Sequence, residues 1–376
     1  METLTRCSPL SIQGRVPTLH DSRCYRLSRH VQLRPEHDGF VAESLITGHC
    51  ERLPNAASVR LLLSLMDPAQ PGALLAPLDA RRASVVRTFL GRCLEGGLIT
   101  EIADDGTADE DGILSLAHWE PHDLAFHLRS RKGRNPRPVG ATWHLADRLP
   151  AEDARRPEHG SVLGTIPLDK PDLDRLKAQD WTLTRALEER RSRYSIAPLS
   201  LQALAHLLFR CCRVTAARKE AMAGGVLRKV HPSGGSLHSL ELYVVANRCI
   251  GLARGGYRYD PFAHTLVWLR QDDPDMIELL RDAQTATRDL KDLPSVLLIV
   301  ASRFRRVTRK YQSLAYHVIL QEVGTLYQTI YLVSQTLGLA VSALGAGDSD
   351  RFARVFNTDF FAESSVGEMI VGGAEK

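Results

Sequence analysis

The sequence predicts an α+β chain in two units, and three observations carry that reading. "SVLLIVASRF" (295–304) is apolar and β-branched without alternation, the pattern of a strand covered on both faces. "SLAYHVILQEVGTLYQTIYLVSQTLGL" (313–339) is apolar nearly all the way round at helical spacing, so it belongs in a core or at a subunit interface. Two polar, Pro/Gly/Arg-rich stretches, "RSRKGRNPRPVG" (129–140) and "LPAEDARRPEHGSVLG" (149–164), read as a linker. They place an N-terminal unit at 1–128, a linker at 129–164 and a C-terminal unit at 165–376.

The N-terminal unit reads as winged-helix-like. "ASVRLLLSLM" (57–66) is a short helix closed by the "DPAQPG" turn. "DARRASVVRTFLGRCLEGGLI" (79–99) is a second helix, with Val85, Val86, Phe89, Leu90 and Cys93 at helical spacing and glycines 96–97 to stop it. "LITEI" and "GILSL", joined by "ADDGTADEDG", are expected to form a two-stranded wing. The second helix carries Arg81, Arg82, Arg87 and Arg92, but an acidic wing would repel phosphate, so docking of a peptide or protein is expected rather than nucleic acid.

In the C-terminal unit, "WTLTRALEERRSRY" (181–194) is a helix with a basic end, and 199–212 is a helix capped by Ser200. "LELYVVAN" (240–247) is a strand, and 256–269 is a hairpin turning at Asp260-Pro261. The next helix starts with Asp273 as cap and Pro274 at its first position. The 295–304 strand and the long helix follow, and "GEMIVGG" (367–373) is a closing strand.

Bulk properties exclude several classes. The chain has 376 residues, 48 basic against 44 acidic, and a net charge of +4, too even for nucleic acid or an anionic membrane as main partner. Seven cysteines without a CxxC pair argue against a disulfide framework or zinc ribbon and fit a reducing cytoplasm. No signal-peptide core and no uninterrupted apolar run of ~18 residues is present. His118, His122 and His127 lack ligand spacing, and no metal site is expected.

Four short stretches carry possible chemistry. Arg190, Arg191, Ser192 and Arg193 put three guanidinium groups and a hydroxyl together, a match for phosphate oxygens. The same residues also suit a solvated helix end. "HPSGGSLHSLELY" (231–243) places Gly234 and Gly235 before a strand, where φ > 0 and close approach of a flat ligand are both open, though a plain loop fits too. Gly345 and Gly347 follow the long helix and read as a turn whose amides can face a ring edge or a phosphate. Lys310 and Tyr311 stand at the head of the long helix, as an acid/base pair or as a packed ring with a snorkelling amine.

The order of these pieces resembles a known family. RRS follows a helix, P-S-G-G leads into "LELYV", then come K-Y, E-x-G-x-x-x-Q (Glu322, Gly324, Gln328) and a glycine turn. Over about 165–376 this is similar to the nitroreductase superfamily, specifically the SagB-type dehydrogenases, which include azoline oxidases. "WEPHDLAFHLRSR" (119–131) resembles a segment those proteins carry ahead of the oxidase domain. Thr325 stands where a histidine is common in relatives, and Thr329 where asparagine is common.

The resemblance implies an α+β homodimer of nitroreductase-like fold with one FMN per site at the interface. By position, Arg190, Arg191, Ser192 and Arg193 would hold the FMN phosphate. Pro232, Ser233, Gly234, Gly235 and Ser236 would lie along the flavin ring, with Gln328, Gly345 and Gly347 completing the cradle. Lys310 and Tyr311 match the catalytic pair of the azoline oxidases, with Tyr311 expected as base and Lys310 lowering its pKa, or the roles exchanged.

The implied function is oxidation of thiazolines or oxazolines in a heterocyclised precursor peptide to azoles, beside a cyclodehydratase partner. Two alternatives stay open: an FMN oxidoreductase acting on another amino-acid-derived or carrier-bound intermediate, and a flavin-free scaffold that binds a peptide or partner.

Overall fold

The computed structural model describes residues 17–133, 135, 137–157, 162–194, 197–287 and 290–373. The chain divides into two compact units, 1–139 and 140–376. Cys7 and the extreme N-terminus lie outside the described residues. No helix among the described residues is long and apolar enough to cross a membrane.

The first unit holds β1 (Cys24–Leu27), β2 (Val31–Glu36), β3 (Gly39–Ser44), β4 (Cys50–Leu53), α1 (Ala56–Ser64), α2 (Pro71–Leu75), α3 (Ala80–Glu95), β5 (Ile99–Ile102) and α4 (Pro121–Arg129). Both main helices start on side-chain caps. Asn55 accepts from the Ser58 amide at 3.0 Å, and Asp79 from the Arg82 amide at 2.9 Å. Gly97, just past α3, takes φ +68°, the left-handed stop expected there. Leu62, Phe89, Leu90 and Cys93 pack with Tyr25, Leu53 and Ile99 as the core, whereas Val85 is exposed.

The wing is not built as expected. β5 pairs antiparallel with β1, more than seventy positions earlier in the chain, and not with "GILSL". Ile102 makes a single bridge to Ala108, inside the expected connecting loop, and "GILSL" (112–116) forms no strand. The acidic residues there have structural tasks. Glu110 accepts from the Ser28 hydroxyl at 2.5 Å and the Arg29 amide at 3.1 Å, which holds 109–112 as a 3-10 turn. The antiparallel sheet β2–β3–β4 lies outside the sequence expectation. On α3, Arg87 pairs with Asp21 and Arg92 with Glu51, each at 2.7 Å, and Arg82 lies 3.4 Å from Asp79, so three of its four arginines already face a carboxylate.

The second unit runs β6 (Gly140–Ala141), β7 (Gly164–Pro167), α5 (Leu173–Gln179), α6 (Leu183–Glu189), β8 (Leu199–Ser200), α7 (Leu201–Cys212), β9 (Val214–Arg218) and β10 (Val226–Lys229). It continues with β11 (Leu240–Ala246), β12 (Cys249–Ile250), β13 (Gly255–Asp260), β14 (Thr265–Gln271), α8 (Pro274–Ala286) and β15 (Val296–Arg303). It closes with α9 (Phe304–Thr308), β16 (Tyr311–Gln312), α10 (Ala315–Thr336), β17 (Leu339–Leu344), α11 (Ser349–Phe356) and β18 (Glu363–Gly373).

A seven-stranded antiparallel sheet, order β17-β18-β15-β11-β13-β14-β7, is the centre of this unit. Every residue of β11 and β15 is buried. Leu242, Val244, Leu298 and Val300 face a core shared with α7 and α10, while Tyr243, Val245, Leu297 and Ile299 face α8 and α11. Helices on both faces explain why these strands lack polar alternation. Each fully buried aliphatic side chain there contributes about 1.5–3 kcal/mol. Cys211 and Cys212 are core residues of α7. The caps at Ser200 and Asp273 form as expected, on the amides of Ala203 and Met276.

Three expectations need correction. α6 ends at Glu189, not at 194, because the next residues are drawn to β17: the Arg193 amide donates to the Val341 carbonyl at 3.0 Å. Lys310 and Tyr311 do not head the long helix. They follow α9 and enter β16, and α10 starts only at Ala315.

Lastly, part of the expected linker is a strap of the second unit. Arg303, Arg306 and Arg309 stand three residues apart along α9 and its flanks. Arg303 reaches the Asp153 carbonyl at 2.6 Å, Arg306 the Glu152 carbonyl at 2.8 Å, and Arg309 the Leu149 carbonyl at 2.8 Å. Composition alone reads this segment as free chain, because its own residues supply mostly backbone acceptors.

Candidate active site

Lys310 and Tyr311 are positioned by main-chain pairing. Tyr311 pairs with Ala141 and Gln312 with Gly140, and the Lys310 carbonyl accepts from the amides of Thr142 and Trp143, both at 2.9 Å. Trp143 pays for this turn with φ +54°, unusual for a bulky residue. Its indole then lies under the lysine: Lys310 Nζ sits 5.3 Å from the Trp143 ring centre and 5.4 Å from that of Tyr311. Trp143 was not foreseen, since nothing local marks it.

The Ser233–Ser236 turn meets this pair. Gly235 has φ +63°, and a methyl group built on it would collide with Lys310 Nζ and lie 2.9 Å from the Tyr311 hydroxyl. A methyl on Gly234 would strike Val318 of α10. Both glycines are therefore required, one by backbone conformation and one by close approach. Ser236 (φ +57°) and His238 (φ +46°) are also left-handed, so this loop concentrates strain, as functional loops do. The Ser233 hydroxyl accepts from the His238 amide at 3.0 Å and braces the turn. Pro232, Gly235 and Ser236 are exposed.

Burial pushes the Tyr311 phenol above its ordinary pKa. This reverses the expectation that Lys310 lowers it. The amine lies over the Trp143 and Tyr311 rings, desolvation prevails, and the phenol stays protonated at neutral pH.

A second group forms at the other end of α10. The Ser192 hydroxyl and the Tyr331 hydroxyl share a hydrogen bond of 3.0 Å, and Arg190 lies over the Tyr331 ring at 5.4 Å. Tyr331 also accepts from the Ala343 amide at 2.8 Å, which joins the RRSR segment to β17 just before Gly345. Arg191 donates to the carbonyls of Glu188 and Arg190. None of Arg190, Arg191 and Arg193 has a carboxylate partner among the described residues, whereas most arginines of the fold do. Gly345 faces open space, with nothing within 4 Å of an added methyl.

α10 joins the two groups. Thr325 donates to the Pro232 carbonyl at 3.4 Å, Tyr331 holds Ser192, and Gln328 is exposed on the helix between them.

Gly347 has a different neighbour from the one expected. A methyl there would collide with the Glu368 carboxylate, whose Oε1 is buried without a hydrogen-bond partner. Burial pushes Glu368 up to about 7, and the nearby charges of Asp282 and Asp348 add to the effect. The folded pKa exceeds the unfolded value of ~4.3, so the fold favours the protonated form. This stabilisation is complete below the unfolded pKa and is lost as pH rises through the folded one. Glu368→Gln is therefore expected to remove a loss on the order of 3 kcal/mol at pH 8 and to change little at pH 4. Urea unfolding at both pH values measures it.

Behind the glycine loop, His231, His238 and Glu322 converge in the interior. The sequence reading did not group them, because helix α10 supplies the carboxylate from far along the chain.

Comparison with known proteins assigns both units. Residues 25–136 match the model of the cyanobactin oxidase ThcOx, and residues 187–373 match the nitroreductase family model. MJ1384 of Methanocaldococcus jannaschii, assigned by name to the nitroreductases, is 32% identical over 184 residues, which span 48% of this chain and 85% of that protein. The trifolitoxin-processing protein TfxB of Rhizobium leguminosarum bv. trifolii is 29% identical over 161 residues, 39% of this chain and 40% of that protein. Among solved structures, a chain of the E. coli microcin synthetase McbBCD complex with truncated pro-MccB17 bound superposes at a TM-score of 0.42 and 18% identity, over 71% of this chain and all of that one.

An α+β oxidoreductase is the class that these matches define. The chain belongs to the nitroreductase family. With a ThcOx region ahead of that domain, it has the make-up of the SagB-type members.

Proposed function

We propose that this protein is an FMN-dependent dehydrogenase that oxidises azoline rings of a modified peptide to azoles. The observation that carries the reading is the meeting of Lys310 and Tyr311 with the Ser233–Ser236 turn, in a chain that also matches a cyanobactin oxidase. The likeness to a trifolitoxin-processing protein supports a peptide substrate.

The residues present fit FMN. A phosphate dianion needs cations that are not already neutralised, and Arg190, Arg191 and Arg193 supply them beside the open position at Gly345. The exposed strip of α10 at Gln328 and the glycine turn would take the ribityl chain and the ring. FMN, when bound, supplies the acceptor for a hydride.

The chain's own part is to bind, orient and manage one proton. The phenol of Tyr311, kept protonated by burial, is the donor that holds the azoline ring. The Lys310 amine is placed to accept the proton lost from the ring carbon, and Trp143 fixes its position. The first unit, 25–136, would engage the peptide or a cyclodehydratase, and a second copy of the chain would complete each FMN site.

Purified protein should be yellow and release FMN on denaturation. It should remove two hydrogens per ring from a peptide thiazoline or oxazoline. A colourless protein that FMN cannot reconstitute overturns the reading, and a yellow protein inert toward azolines moves the substrate elsewhere. Replacing Arg191 and Arg193 together by Gln is expected to weaken FMN binding by about tenfold to a hundredfold, from two lost charge-assisted contacts. Fluorescence titration of FMN into stripped protein measures it, with the unfolding midpoint unchanged.

A further inference from the structure

His231, His238 and Glu322 present three atoms that face one another and nothing else. His231 Nε2 lies 3.6 Å from Glu322 Oε1, and His238 Nδ1 lies 3.4 Å from the same oxygen. None of the three atoms has a hydrogen-bond partner, and all three side chains are at most 3% exposed. All three ligand atoms fall within 4.8 Å of one another.

The separations decide between two explanations. An N–H···O hydrogen bond spans ~2.7–3.2 Å, so these atoms stand too far apart to satisfy each other. Two donors on one tetrahedral ion with bonds of ~2.0–2.1 Å stand about 3.4 Å apart. The two separations to Glu322 Oε1 fit that second geometry.

The outer contacts also suit a metal centre. His231 Nδ1 faces the Cys211 carbonyl at 3.3 Å. A carbonyl only accepts, so Nδ1 is the nitrogen that would carry a proton in a neutral ring, and Nε2 is the one turned to Glu322. Glu322 Oε2 accepts from the Ser239 hydroxyl at 3.3 Å, and that hydroxyl accepts from Ser302 at 3.1 Å. One carboxylate oxygen is thus held in place while the other is left open. A buried carboxylate without a compensating charge is costly, and a divalent ion supplies that charge.

We propose that His231, His238 and Glu322 bind one divalent transition-metal ion of zinc type through Nε2, Nδ1 and Oε1. Two imidazoles and a carboxylate are the donor set such ions take. The ion is structural: it fastens both ends of the 231–238 loop to α10. It does not depend on FMN or on the substrate.

The test uses the full-length protein, stripped with a chelator and then titrated with Zn²⁺ or Co²⁺. The expected result is one ion per chain, visible absorption of four-coordinate Co²⁺, and a higher Tm with metal than without. These should hold in flavin-free and flavin-loaded protein alike, which separates this outcome from failure of the flavin reading. His238→Asn should weaken binding by about tenfold or more. If that variant fails to fold, the wild-type titration alone decides. Absence of metal uptake by the wild-type chain, or uptake unchanged when His231 and His238 are both Asn, overturns the site.

Discussion

Tyr311→Phe is expected to lower the rate of azoline oxidation by roughly 10²- to 10⁴-fold, the range for loss of a positioned proton donor. FMN should remain bound at the wild-type level. The hydroxyl points at the glycine turn, while the ring and the main-chain pairing to β6 persist without it. The defect should therefore fall on kcat more than on KM. Anaerobic stopped-flow bleaching of the flavin by substrate measures the step directly. Because burial raises the phenol above its usual value near ~10, its protonated form persists through neutral and mildly alkaline pH. A wild-type rate that falls only at strongly alkaline pH, and a variant lacking that fall, would mark the phenol as the donor. Full activity in the variant would remove Tyr311 from the chemistry.

Arg306→Leu is expected to destabilise the second unit by about 3–5 kcal/mol. Arg306 is 4% exposed. It donates to the carbonyls of Leu237, Glu152 and Gly225 at 2.8, 2.8 and 3.0 Å. Burial lowers its pKa only to about 10, so it stays charged at neutral pH. Leucine leaves three carbonyls without this donor and frees the strap from the glycine loop. Arg305, exposed and only 3.8 Å from Glu152, is the control, and Arg305→Leu should stay within about 0.5 kcal/mol. Chemical denaturation measures both, and early proteolysis within 142–154 should accompany the Arg306 loss alone.

What could be read without coordinates was local. β11, β15, α7, α8 and the β13–β14 hairpin each carry their signal within a few residues: a cap at Ser200 or Asp273, a turn at Asp260-Pro261, or an unbroken apolar run. β1 and β5 are short and pair across most of the first unit, so no window contains both. The strap looks like a linker because its partners are arginines some 150 positions later.

The same division holds at the site. The glycine turn and the RRSR segment were legible as motifs, but their meeting with Lys310 and with Tyr331 is set by α10. Gly347 looked like part of a ligand cradle, yet its neighbour is a carboxylate. Trp143, Glu368 and the His231–His238–Glu322 cluster have no local signature at all.

The strand order has a consequence for biosynthesis. β18 lies between β17 and β15 and is made after every other strand of that sheet. Until it emerges from the ribosome, β15 and β17 each keep an open edge of unpaired amides and carbonyls, available to any other extended chain. The sheet is thus most exposed to misassociation in the interval before β18 is made, and a stop codon before residue 363 would make that exposure permanent.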